Sequence, residues 1–67
     1  DLWLDYDALH SLSMEQRLSR LTWWVMEAER AQRPYGLKLP GTSFRPRLGS
    51  KHRDDCLGAL AVYGLKK

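Results

Sequence analysis

Residues 33–44 read "RPYGLKLPGTSF", and how they fold decides the architecture of the whole chain. Tyr35, Leu37 and Leu39 alternate with Gly36 and Lys38, the period of two that marks a half-buried β-strand. Pro40-Gly41 suits the two central positions of a type II turn, with proline pre-setting φ and glycine tolerating a positive φ. Thr42, Ser43 and Phe44 then either fold back as a short antiparallel strand or continue as a plain loop. Upstream, Arg33-Pro34 must close whatever precedes it, because a residue before proline avoids the α region.

What precedes it is a helix. In "SMEQRLSRLTWWVMEAERAQ", Ser13 and Gln16 have the spacing of a capping box, in which each side chain satisfies a backbone donor at the other's position. Met14, Leu18, Leu21, Val25 and Ala28 follow at helical spacing and form one apolar face. Trp24 borders that face. Trp23 lies well away from it on the helical wheel with Met26 beside it, and an exposed Trp–Met pair marks a candidate contact surface. The competing explanation is packing against another part of the same protein.

Further upstream, "LWLD" (residues 2–5) is short and rich in strand formers, and Asp5 and Asp7 stand two apart at its end. Downstream, Arg45 to Gly49 reads as a connector. Ser50 can cap a last helix in which Asp54 and Asp55 favour the N-terminal end of the dipole. Cys56, Leu57, Leu60 and Ala61 supply its apolar side, and Gly64 suits the position just after its end. The order strand, helix, strand, helix places the first two strands parallel, with the helices packed on the sheet. The expected fold is therefore α/β: a βαβα fragment of a layered fold with a short parallel sheet, a possible β-hairpin and two helices. Helices on one side only would leave the other sheet face for a second copy or for a larger parent domain.

Length and composition narrow the possibilities. Sixty-seven residues make one small or partial domain, burying only about 60% of the surface its unfolded chain exposes. One cysteine, Cys56, cannot form an internal disulfide, which excludes a secreted disulfide scaffold and favours a reducing compartment. No apolar run approaches the roughly 20 residues of a membrane span. The chain starts at Asp1 with no Met and no signal-peptide pattern, the expectation for a piece of a longer protein. The net charge of +3 is modest. Arg45, Arg47, Lys51 and Arg53 are interleaved with only Phe44 and followed by Asp54 and Asp55, which reads as a solvated charged loop and not as a nucleic-acid surface.

Three segments carry a family resemblance: "LWLDYDAL" (residues 2–9), "EQRLSRLTWWVMEAERAQRPYGLKLPG" (residues 15–41) and "GSKHRDDCLGALAVYG" (residues 49–64). The chain resembles the C-terminal part of a bacterial family known as "domain of unknown function 58". The resemblance implies a von Willebrand factor A-like fold, with residues 1–67 as one portion. It also implies a parent anchored by N-terminal transmembrane helices at the cytoplasmic face of the inner membrane, acting beside MoxR-type AAA+ ATPases. The implied role is protein–protein interaction or assembly, with no established enzyme activity. In von Willebrand-type domains the first strand can end in Asp-x-Ser-x-Ser, whose oxygens bind Mg²⁺ and whose shell a partner's carboxylate completes. Here the matching positions are Asp5, Asp7 and Leu9. Asp5 and Asp7 are thus candidate ligands of a degenerate Mg²⁺ site, and Leu9 cannot ligate. The alternative is a strand end whose acids cap the following loop.

His52 and Cys56, four apart on the last helix, can share a face. A thiolate–imidazole pair or half of a zinc site would need partners that the sequence does not supply, since zinc takes four ligands. A buried thiol acting as a small hydrophobe is the favoured reading. No glycine-rich phosphate loop and no Ser-His-Asp set is present, so no catalytic residue is assigned.

Overall fold

The computed structural model describes residues 2–65. It is a mixed α/β structure: β1 (Leu2–Asp5), a 3₁₀ turn (Tyr6–Leu9), α1 (Met14–Arg30), β2 (Tyr35–Leu39), β3 (Thr42–Arg47) and α2 (Ser50–Leu65). The three strands form one sheet in the order β1-β2-β3. β1 runs parallel to β2, with Trp3 opposite Gly36 and Leu4 opposite Leu37. β3 returns antiparallel, with Leu39 opposite Thr42 and Leu37 opposite Phe44.

The hairpin resolves the choice left open at Thr42. Gly41 has φ +86°, as the third position of a type II turn requires. β3 runs on to Arg47, so the expected connector is only Leu48 and Gly49. Between Leu37–Phe44 and Tyr35–Arg47 the register slips, with Arg45 and Pro46 set against Gly36 alone. Pro46, which has no N–H to give a ladder, falls in this irregularity on an edge strand, where proline is tolerated.

α1 begins as its sequence indicates. Gln16 N–H donates to Ser13 Oγ at 3.2 Å, and Ser13 N–H donates to Gln16 Oε1 at 3.1 Å. It ends three residues before the Arg33-Pro34 boundary. Gln32 takes φ +58°, Gln32 N–H donates to Glu29 O at 3.1 Å, and Arg33 N–H donates to Ala28 O at 2.9 Å. These are the paired bonds of a Schellman motif, formed here around a glutamine, which is why no glycine signals it. α2 departs from expectation at both ends. Its first N-terminal bond runs from Arg53 N–H to Gly49 O at 3.0 Å, so Gly49 (φ +124°) precedes the helix and Ser50 lies within it. Gly64 lies inside the helix instead of beyond it, and a Cβ there would come within 3.2 Å of Leu18 Cδ1.

Both helices pack on one face of the sheet. Leu4, Tyr35, Leu37 and Leu39 from the strands meet Leu21, Val25 and Ala28 of α1 and Cys56 and Leu60 of α2, with Tyr6 closing one end. Met14 and Leu18 are only partly buried at the margin. The other sheet face is uncovered among the described residues, and there the Trp3 ring lies over Gly36 with Lys38 Nζ 4.8 Å from its centroid.

Candidate functional site

At the end of β1, Asp5 has an extended backbone, and its Oδ1 accepts Asp7 N–H at 3.0 Å. It is the cap of the 3₁₀ turn, and turn formation satisfies a donor that would otherwise be free. The turn is tied down from α1. The Arg17 guanidinium lies 4.8 Å from the Tyr6 ring centroid and donates to Leu12 O at 3.0 Å and His10 O at 2.9 Å. Leu9 packs against the core. Among the described residues no group of three or more His, Cys, Asp or Glu side chains is placed to hold a metal ion. Asp5 Oδ1 is engaged in capping, the alternative role expected of a strand-end acid.

His52 and Cys56 meet, and they meet inside the molecule. Cys56 is fully buried, and His52 nearly so. His52 Nε2 lies 2.7 Å from Tyr35 O. A carbonyl only accepts, so Nε2 is the donor in this contact. Cys56 Sγ lies 3.7 Å from Nε2 and 4.0 Å from Nδ1. Burial, then the negative charges of Asp55 and Glu29, push the Cys56 thiol up to about 11. A nucleophilic cysteine needs the opposite shift, toward thiolate near neutrality. His52 links α2 to β2, and Cys56 lies fully buried beside it, the placement of a thiol that acts as a small hydrophobe.

Glu29 extends the link. Its Oε2 accepts the Tyr35 hydroxyl at 2.9 Å and Gly49 N–H at 3.1 Å, joining α1, β2 and the start of α2 through one carboxylate. Burial, then this contact with Glu29, holds the Tyr35 hydroxyl above its ordinary range. Sequence reasoning passed over Glu29, although one signal was there. A carboxylate in the last turns of a helix opposes the macrodipole, and a compensating partner is then expected. Glu27, in the same region, has one in Arg30 at 2.6 Å.

The third feature is the outward side of the helix pair. Trp23 is 57% exposed and Met26 48%. They border a hollow of about 690 Å³ between α1 and α2, whose lining among the described residues includes Leu18, Leu57, Ala61 and Gly64 and no charged side chain. Trp24 is partly buried against the core, with the Arg20 guanidinium 5.9 Å from its ring. The two tryptophans thus divide as the helical wheel indicates, one inward and one outward. Arg45, Arg47 and Lys51 line a separate, polar cleft beside β3, where Lys51 pairs with Asp55 at 3.5 Å. No helix of the described residues is long and apolar enough to cross a membrane.

Comparison of the chain with protein-family models, with curated proteins and with solved structures finds no match.

Proposed function

We propose that this chain is a non-catalytic protein–protein interaction module, a portion of a larger von Willebrand factor A-like domain of the "domain of unknown function 58" type. The observation that carries the reading is the Trp23–Met26 pair, more than half and nearly half exposed, over an apolar hollow. Large aromatic and thioether side chains left in water at the mouth of a concavity are the composition of a binding hot spot. The buried, protonated state of Cys56 supports a role without nucleophilic chemistry. By the resemblance, the partner is a MoxR-type AAA+ ATPase, met at the cytoplasmic face of the membrane that anchors the parent.

The test is titration calorimetry of the purified chain against such an ATPase, with Trp23→Ala alongside. Trp23 is exposed, so the variant should fold with an unchanged far-UV spectrum and bind at least tenfold more weakly. Equal affinity of the two proteins, for the ATPase and for themselves, would remove this surface from the reading. A second reading, a Mg²⁺-assisted adhesion site at Asp5 and Asp7, draws only on the position of the two acids around the end of β1.

A further inference from the structure

We infer that the cleft between β3 and the start of α2 is an anion site, and that its ligand is a phosphate monoester on an apolar or aromatic carrier. The cleft lies apart from the Trp23–Met26 surface, and the inference does not rest on the interaction-module reading.

The cations of the described residues divide into two groups. Most are engaged within the chain. Arg17 donates to Leu12 O and His10 O, Arg20 stands over Trp24 and Lys38 over Trp3. Arg30 pairs with Glu27, Lys51 with Asp55 and Arg53 with Asp54. Arg33, Arg45 and Arg47 have no side-chain hydrogen bond, ion pair or ring contact among the described residues. Arg33 stands alone in a hollow beside Leu2 and Leu4. Arg45 and Arg47 line one cleft of about 540 Å³, with Lys51 on its far side. Asp55 is the one carboxylate in that lining among the described residues, and Lys51 already holds it at 3.5 Å. The cleft thus carries two uncompensated positive charges and no unpaired negative one, the complement of a dianion.

The backbone keeps the two guanidinium groups near each other. The stretch expected as a connector is strand through to Arg47. Arg45 precedes a proline, which restricts it to extended conformations, and the Pro46 ring locks its own φ. Side chains on a stiffened strand give up less freedom on binding than the same pair on a loop. Each guanidinium is a planar fork of N–H donors matched to two oxygens of a phosphate. A phosphate monoester brings about −1.5 to −2 charge and three acceptor oxygens, enough for both forks, where a carboxylate brings one charge and two oxygens. Phe44, half-buried, and Leu48, 37% exposed, line the cleft beside the pair, so the body that carries the phosphate meets apolar surface. A nucleic-acid strand is the poorer occupant, because the lining offers no row of aromatic side chains for successive bases.

The experiment is an NMR titration of the isotope-labelled whole chain with phenyl phosphate, at constant ionic strength and about pH 7.5, where the monoester is a dianion. Backbone amides and arginine Nε–H signals are read, and the amide spectrum of each variant reports its fold. The expected result is a saturable shift at Phe44, Arg45, Arg47 and Lys51. Phenyl phosphate should bind more tightly than inorganic phosphate, and dimethyl phosphate, a monoanion, should give no saturable shift. Arg45→Gln and Arg47→Gln should each weaken binding about threefold and together about tenfold. Arg33→Gln, which removes the same charge elsewhere, should leave it unchanged. No saturable shift up to tens of millimolar, or shifts centred outside the cleft, overturns the inference. Equal weakening in Arg33→Gln also overturns it, since the response would then follow net charge alone. Dimethyl phosphate binding as tightly as phenyl phosphate overturns the assignment to a monoester. Adenosine monophosphate and a short phosphotyrosine peptide, compared in the same assay, distinguish the carrier: the tighter of the two shows whether a small molecule or a peptide brings the phosphate.

Discussion

Gly36 lies directly opposite Trp3 across the parallel β1–β2 ladder, and the indole occupies the space a side chain would need. A Cβ at Gly36 would stand 2.6 Å from Trp3 Cε3 and Cζ3 and 3.0 Å from Phe44 O. Ordinary carbon–carbon contact is about 3.5–4.0 Å, so Gly36→Ala must drive the ring outward by about 1 Å. The ring has Lys38 Nζ 4.8 Å from its centroid, and that contact must loosen too. Backbone strain is not the issue, because Gly36 is not among the positive-φ glycines, Gly41 and Gly49. Overpacking of this kind costs about 1–3 kcal/mol, against about 0.4–1 kcal/mol gained by restricting the unfolded chain. The expected net loss is about 1–2 kcal/mol, which for a domain of this size lowers Tm by roughly 4–8 °C per kcal/mol. In a Trp3→Ala background the ring is gone and only the Phe44 carbonyl contact remains. There Gly36→Ala should fall within about 0.5 kcal/mol of neutral. Urea unfolding of the four proteins, followed by far-UV circular dichroism and by the fluorescence of Trp23 and Trp24, gives the coupling energy directly. Equal costs of Gly36→Ala in the two backgrounds would show that the indole does not occupy this space.

Cys56 makes stability depend on alkaline pH. Its thiol stays protonated in the fold up to about 11 against an ordinary value of 9.0, so the unfolded chain sheds the proton first. Stability is then full below about pH 9 and falls as pH rises toward 11, by of order 1–2 kcal/mol. Cys56→Ala should abolish the part of the fall below about pH 10, leaving the later loss from the raised Tyr35 and Tyr63 hydroxyls; an unchanged urea midpoint profile would contradict the buried-thiol account. For Asp5 and Asp7, titration with Mg²⁺ followed by the amide signals of residues 4–11 should give no saturable shift if Asp5 serves only as the cap of the 3₁₀ turn, its Oδ1 accepting Asp7 N–H. Saturable shifts confined to those residues would restore the metal reading.

Much of the architecture is legible in local chemistry, and the exceptions share a cause. The capping box at Ser13, the strand period at Tyr35 to Leu39 and the turn at Pro40-Gly41 each depend on residues within four positions of one another. All three appear in the structure where the sequence places them. The misplaced ends of α2 do not depend on local chemistry alone. Ser50 is an adequate cap by type, but Gly49 N–H is drawn to Glu29, twenty residues away, and the helix starts accordingly. Gly64 is an adequate terminator by type, yet Leu18 of α1 comes so close that a residue without Cβ fits inside the helix. At the candidate site, the outward placement of Trp23 and Met26 is readable from the wheel, since it needs only the direction of the buried face. The hollow beside them is not, because Leu57, Ala61 and Gly64 reach it from another helix.

The surfaces left uncovered are treated differently, and that difference bears on how the chain associates. The free edge of the sheet at β3 carries Arg45, Pro46 and Arg47, charge and a missing donor of the kind that blocks edge-to-edge pairing. The uncovered sheet face has its tryptophan pressed onto a glycine and overlaid by a lysine, which leaves little apolar area for a partner. Between the helices, Trp23 and Met26 stand exposed around a hollow with no charged lining among the described residues. A small domain has little apolar area to spare from its own core. An indole and a thioether stand together in water on one face, while the edge and the opposite face are guarded. On the interaction-module reading, a partner of that face would be selected by the guarding of the other surfaces as well as by fit.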